Sequence, residues 1–396
     1  MNRRELLSAA AVLSGSLAAP AVLRAQEAAL RLGVLTALTG AGAADGPRML
    51  KAMQAVAEEV NKLGGVLGRQ IALVIEDDQT NPEAAVRAAQ KLVGVDKVPA
   101  IMGTWASAVT SAVAPVCWES KTCLLTVSGA DSITQLPHQG YIFRTQPNTT
   151  LQATRHGEYM LSMGAKKVFY VAVQTPFAAS MKDIIGKVLL AGGGELAGGL
   201  VYEANKTSYR SEIDAALAAK PDMIYLNSYS PDLTVLLKDL FRAGYSGGRL
   251  TQSYAYTSKV AEGIPAEVTD GLHTVQPSSD VNSGAYALLQ KRIGAASPDS
   301  YEAQATDWIS LVLLGIQKGN STVGVDIRDN VRKVSQGSGT KVASAAEGLK
   351  LLREGKDVNY EGASGACDFN DKGDILDCRF RYSVAKNTKI EFLKVV

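Results

Sequence analysis

At 396 residues the chain exceeds the size at which a single hydrophobic core stops growing, so two domains are expected. Its 46% hydrophobic and 20% charged content, with 37 glycines, excludes a disordered chain and fits an α/β protein. The net charge is +2, and setting aside Arg3, Arg4 and Arg24 with Glu5 in the leading segment leaves 38 basic and 38 acidic side chains. That balance gives no electrostatic reason to expect nucleic acid or an anionic membrane surface as a partner.

Residues 1–25 open with Asn2-Arg3-Arg4, run through an Ala-rich apolar stretch from Leu6 to Leu23 and end on the small residue Ala25. This is the pattern of a secretory signal cleaved near Ala25, and the Arg3-Arg4 pair also suits twin-arginine export. No cysteine follows to carry a lipid. Elsewhere the longest apolar run, Trp308 to Ile316, is too short to span a bilayer. The expectation is a soluble, exported protein.

Strand and helix then alternate. Strands are expected at 32–35, 70–75, 99–102 and 123–127, and helices at 47–63, 82–92 and 107–119, with turn glycines such as Gly64-Gly65 between them. After Phe143-Arg144-Thr145 the pattern restarts. Helices are expected at 151–163, 181–191, 212–219 and 233–243, and strands at 167–173, 199–202, 223–226 and 269–275. Helices dominate next, at 285–293, 301–318, 327–334 and 343–353, and the tail from Cys367 returns to strand-like alternation. Two α/β lobes with mostly parallel sheets account for this order.

Four cysteines fall in two close pairs, Cys117 with Cys123 and Cys367 with Cys378. In an exported protein this predicts two disulfides, the second closing a hairpin turned at Lys372-Gly373. The spacings are not C-x-x-C and His138, His156 and His273 are isolated, so no metal site is expected, and no cofactor either.

Two loops stand out, Gly103 to Ser107 and Ser128 to Ser132. Each follows an apolar strand and is rich in small and hydroxyl side chains. At the carboxyl edge of a parallel sheet, such loops let a carboxylate approach backbone N–H groups closely. Capping of ordinary helices uses the same residue types.

The first turn admits two readings. Gly40-Ala41-Gly42 and Gly46, with acids at Glu76 to Asp78, approach a dinucleotide fingerprint, and Tyr202-x-x-x-Lys206 mimics a dehydrogenase pair, which would make an exported NAD(P)-dependent oxidoreductase. Against it, Thr39-Gly40 lies several residues past the strand, where the nucleotide turn should be immediate.

The other reading rests on LTGAGAADG (38–46), NKLGGVLGRQIALVIEDDQTNPEAAVRAAQKLV (61–93), GTWASAVTSAVAPV (103–116), FRTQPN (143–148), SYSPD (228–232) and GASGACDFNDKGDI (362–375). These stretches resemble the periplasmic substrate-binding proteins of ABC importers, in the branched-chain amino acid or amide subgroup, and run in that family's order. The resemblance implies the type I periplasmic-binding fold: two Rossmann-like lobes with parallel sheets and a three-segment hinge, crossing near 145–150, 275–280 and 364–368. It places lobe 1 at 26–146 plus 278–365 and lobe 2 at 147–277 plus 366–396. A monomer that hands its ligand to an inner-membrane permease is also implied.

By the same resemblance the ligand's carboxylate is held by the Ser107 hydroxyl, the Ala130 backbone and the Ser132 hydroxyl and N–H, in loops that also carry Trp105, Ser128 and Asp131. Phe177, Tyr229 and Tyr254 close from the second lobe. Tyr254 stands where amino acid binders of the family carry an acid for the α-ammonium, and Phe177 where a Tyr is usual. A buried ammonium without a carboxylate is strongly disfavoured. Trp105, Phe177, Tyr229, Tyr254 and Tyr256 therefore predict an aromatic cleft for a flat or apolar acid. Asp45 and Asp131 are candidates to accept a hydrogen bond from the ligand, or else cap a helix or face solvent. With no G-x-S-x-G and no H-E-x-x-H, the expectation is a receptor and not an enzyme. Branched-chain or other amino acids or amides are the alternative ligands.

Overall fold

The computed structural model describes residues 28–396. The expected signal segment, with its cleavage point near Ala25, lies outside the described residues.

The first sheet contains β1 (Leu30–Thr36), β2 (Ile71–Asp77), β3 (Ala100–Thr104), β4 (Cys123–Thr126) and β5 (Ile142–Arg144). All are parallel, in the spatial order β2-β1-β3-β4-β5. Helices α1 (Gly46–Lys62), α2 (Pro82–Gly94), α3 (Ser107–Glu119) and the single turn α4 (Ser132–Gln135) connect them. The helix starts follow local chemistry: Pro47 opens α1, and the Asn81 side chain accepts from the Ala84 N–H at the head of α2. Met49, Met53, Val56 and Val60 give α1 its buried face.

Helix α5 (Thr149–Ser162) leads into β6 (Lys167–Val173), α6 (Pro176–Ala191), β7 (Glu195–Tyr202), α7 (Arg210–Ala218), β8 (Met223–Asn227) and α8 (Ser230–Arg242). Strand β9 (Gly248–Gln252), the short α9 (Ser258–Glu262) and α10 (Ala266–Thr269), and β10 (Leu272–Ser278) follow. The chain then returns to the first lobe through α11 (Gly284–Ile293), α12 (Ser300–Gly319), α13 (Gly324–Ser335), β11 (Thr340–Val342), α14 (Ala345–Arg353), β12 (Val358–Gly362) and β13 (Gly365–Ala366), whose buried residues join the same core as β1 to β5. It crosses back to place β14 (Arg379–Lys386) and β15 (Lys389–Val395) antiparallel on the second sheet, in the order β15-β14-β10-β9-β8-β6-β7. The result is an α/β fold of two Rossmann-like lobes, with the chain passing between the sheets three times.

Several expectations are corrected. Strand β9 was not anticipated, because GRLTQ lacks an apolar run; Thr251 and Gln252 are buried despite being polar. Helix α6 begins at Pro176, five residues before the expected start, capped by the Thr175 hydroxyl. The expected hairpin around Lys372-Gly373 does form, with the Phe369–Ile375 bridge and the Asn370 and Leu376 N–H groups donating to the Asp374 and Asp368 carbonyls, and it also ties the Gly373 carbonyl and Asp374 to Arg144.

Neither disulfide forms: all four cysteines are free thiols. Cys117 and Cys123 are fully buried small core residues of α3 and β4, and the Cys123 thiol faces the Gly324 carbonyl at 3.3 Å. Cys367 belongs to the first lobe's core, whereas Cys378 packs against the second lobe's. Closeness in sequence did not become a bond: the first pair shares one core as free thiols, and the second is divided between the cores of the two lobes.

Candidate functional site

Both sheets reverse their strand order once, between β1 and β3 in the first lobe and between β6 and β8 in the second. Ligands of open α/β sheets bind outside the carboxyl ends of the strands at such points. Here the two points face each other. Trp105, Ala106 and Ser107 follow β3, Phe177 follows β6, Tyr229 follows β8 and Tyr254 follows β9; with Tyr301 at the head of α12 they line one chamber.

Trp105 is its centre. Its ring lies 5.5 Å from that of Tyr229, 5.4 Å from Tyr254 in an edge-on arrangement, and 6.3 Å from Tyr301. These are the favourable separations of aromatic pairs. Burial pushes the Tyr229 hydroxyl up to about 12, and the Tyr254 hydroxyl well above its ordinary value, so both remain neutral donors. No Asp or Glu lines the chamber. Its volume is about 40 Å³, enough for a few water molecules but below the ~150 Å³ of a cavity that admits benzene. A ring-sized ligand therefore enters only when the lobes part or the rings turn.

Ser107 is the first residue of α3, and the preceding Ala106 supplies no side-chain cap, so the first-turn N–H groups are left for another acceptor. The Ser107 oxygen accepts from the Ala130 N–H at 3.2 Å, which leaves its own O–H free to donate. Hydroxyl and helix end together form an anion-binding corner beside Trp105.

The second lobe holds its rings by buried hydrogen bonds. The Tyr254 hydroxyl donates to Asn227 at 3.1 Å, Asn227 donates to the Tyr170 hydroxyl at 2.8 Å, and Tyr170 donates to the Ala178 carbonyl at 2.7 Å, beside Phe177. Gly129 of the first lobe meets Phe177 of the second so closely that an added Cβ would sit 2.5 Å from the ring. That approach requires glycine.

The loop Ser128 to Ser132 departs from its expected role. Ser128 is fully buried, donates to the Trp105 carbonyl at 2.9 Å and is bonded to Thr110. The Ala130 N–H is taken by Ser107 and its carbonyl by Arg144. Asp131 accepts from the N–H and hydroxyl of Thr150, bracing the start of α5. Ser132 is exposed. None of the four lines the chamber; from this loop only the neighbouring Gly129 does.

The loop is held from below by Arg144, whose side chain is fully buried. Its five N–H groups all have acceptors: Asp374 twice, at 2.8 and 2.5 Å, Thr134 at 3.0 Å, and the carbonyls of Ser128 and Ala130 at 3.1 and 2.6 Å. Tyr301, Gln146 and Gln152 also line the chamber and were not anticipated. They come from a helix start and a crossover, where no local motif marks a residue as facing a cleft.

Asp45 lies outside the aromatic chamber, in an adjoining compartment of about 300 Å³ that shares Tyr254 and Tyr301 as its wall and also carries Tyr256. Arg48 bridges Asp45 and Asp299, each at 2.5 Å. Burial, aided by Asp299, pushes the Asp45 carboxyl up to about 7.

The dehydrogenase constellation does not assemble. The Tyr202 hydroxyl is buried on Ser228 at 2.6 Å, while Lys206 pairs with Glu212 at 2.8 Å. Asp77, an acid offered for a ribose, accepts instead from Leu38, Thr39 and Gln79.

Two lobes of this topology with an aromatic chamber between their switch points define a solute-binding architecture. The chain matches the periplasmic binding protein family over residues 29–355, and it belongs to that family. It is 25% identical over 354 residues to a Leu/Ile/Val-binding protein, BraC3, of Rhizobium johnstonii, covering 84% of this chain and 94% of that one. The fold is similar to that of the leucine-binding protein LivK from Thermotoga maritima, with TM-score 0.78 and 21% identity over 93% of this chain and 98% of the other. It is also similar to a solute-binding protein of an R. palustris ABC transporter in complex with benzoate, with TM-score 0.75 and 20% identity over 93% and 96% of the two chains.

Proposed function

We propose that the protein is the exported receptor of an ABC uptake system and captures a small carboxylate with an aromatic or other apolar body. The observation that carries this reading is the chamber itself: Trp105, Phe177, Tyr229, Tyr254 and Tyr301 surround it, with no acidic side chain in the lining. The carboxylate is received by the Ser107 hydroxyl and the α3 first turn, and the rings of the second lobe close over the body of the ligand. Closure follows hinge motion about the three crossovers, in keeping with the small volume of the shut chamber. The benzoate held by the R. palustris neighbour supports an aromatic acid. The ligand is then released to an inner-membrane permease.

A second reading, a branched-chain amino acid ligand, is favoured by the names of the sequence relatives. It needs a carboxylate for the ammonium, which the chamber lacks. Tyr254→Glu separates the two. Placing a carboxylate in the closed chamber is expected to weaken benzoate binding by more than about tenfold, as an unpaired buried charge does. Tighter leucine binding in that variant with no loss of benzoate affinity would favour the amino acid.

A further inference from the structure

The compartment beyond Tyr254 and Tyr301 holds a buried carboxylate that the fold leaves half-used. Asp45 is 2% exposed and stands at the head of α1 without capping it. One oxygen accepts from Arg48; the other has no donor among the described residues. Asp307 shows what a purely structural buried carboxylate looks like here. It is equally enclosed, and its two oxygens accept from the Tyr360 hydroxyl, the Ala363 and Ser364 N–H groups and the Ser364 hydroxyl, at 2.5 to 2.9 Å. Tyr256 also lines this compartment and is fully buried, with its hydroxyl near Thr269, Asp270 and Arg249. Arg381, which lines it too, forms no ion pair among the described residues and lies over the Phe392 ring at 5.1 Å.

These groups select a chemistry. A second carboxylate would be set against Asp45 and Asp299, and an ammonium against Arg48 and Arg381. A hydroxyl meets neither objection, since it donates to Asp45 and accepts from Arg381. We infer that the compartment is a second subsite that takes a neutral hydroxyl at the far end of the ligand, through the Tyr254–Tyr301 wall, so that the preferred ligand is a carboxylate at one end, an apolar ring between, and a hydroxyl at the other. This rests on the assignment of the first chamber as the carboxylate and ring site.

The test is calorimetric titration of the mature chain with matched acids: benzoate and 4-hydroxybenzoate, then 3-phenylpropanoate and 3-(4-hydroxyphenyl)propanoate, with terephthalate and 4-(aminomethyl)benzoate as the charged arms. A hydrogen bond to a charged group predicts that the hydroxylated member of at least one pair binds about tenfold tighter or better, with both charged arms weaker than the parent acid. Asp45→Ala is expected to bring that ratio close to one while leaving the parent acid's affinity nearly unchanged. Equal binding within both pairs of the wild-type protein, or tighter binding of either charged arm, overturns the subsite while the first chamber stands. If no ring acid binds and leucine does, the first chamber's assignment fails and the subsite with it. Because the wild-type ratios decide the matter, the outcome holds even if Asp45→Ala fails to fold.

Discussion

The loops after β3 and β4 are built from the same kinds of residue and do opposite work. Gly103 to Ser107 presents Trp105 and the Ser107 hydroxyl to the chamber. Ser128 to Ser132 turns its polar groups inward, onto Trp105, Thr110, Thr150 and Arg144. One loop lines the chamber and the other braces it. A hydroxyl-rich loop at a strand end thus becomes a site only if the interior does not already satisfy its hydrogen bonds, and here a single buried arginine makes the difference.

That contrast can be broken most severely at Arg144. Arg144→Ala leaves Asp374 buried without its cation and frees both carbonyls of the bracing loop, and is expected to cost about 3–5 kcal/mol of stability. Denaturant unfolding checks it; an unchanged midpoint would mean the loop is held by something else. Ser128→Ala, which removes buried hydrogen bonds, should cost about 1–3 kcal/mol of stability by the same measurement. Ser107→Ala sharpens the contrast by adding a binding signature. It should cost about 1 kcal/mol of stability, from the buried Ala130 N–H left without its acceptor, and weaken binding of an aromatic acid by about tenfold. Ser132→Ala, at an exposed position, is the control and should alter neither.

A pH-dependent effect concerns Asp45. Its folded pKa, about 7, lies above the ordinary 3.8 because burial disfavours the charged form, with Asp299 and Glu302 adding repulsion and Arg48 opposing it. The folded state then holds a proton that the unfolded state has lost between about pH 4 and pH 7, so this group's contribution to stability falls as pH rises through that window. Asp45→Asn should flatten the fall by about one proton in a pH series of unfolding free energies. The same slope in wild type and variant would contradict the assignment.

The fold was largely readable because its signals are local. Met49, Met53, Val56 and Val60 announce α1 by their spacing, and the runs 167–173 and 223–226 announce β6 and β8 by their apolarity. Strand β9 was not readable, since Thr251 and Gln252 are buried by the strands on either side. Of the residues that line the chamber, Trp105 and Ser107 are marked by a loop at a strand end in an α/β pattern, and Phe177, Tyr229 and Tyr254 by the family resemblance. Tyr301 and the buried pairing of Arg144 with Asp374 depend on residues more than 150 positions apart meeting at the hinge, which no local pattern records. The cysteines failed for the converse reason: nearness in the chain did not become a bond, with Cys117 and Cys123 left as free thiols in one core and Cys367 and Cys378 assigned to different ones.

The central claim is that the aromatic chamber receives a carboxylate with an apolar body, and the most direct measurement is a calorimetric titration of residues 26–396 with benzoate and with leucine, repeated on Ser107→Ala. Benzoate should bind, leucine should bind more weakly, and the serine variant should lose about tenfold for benzoate. Tight leucine binding with no detectable benzoate binding would contradict the account.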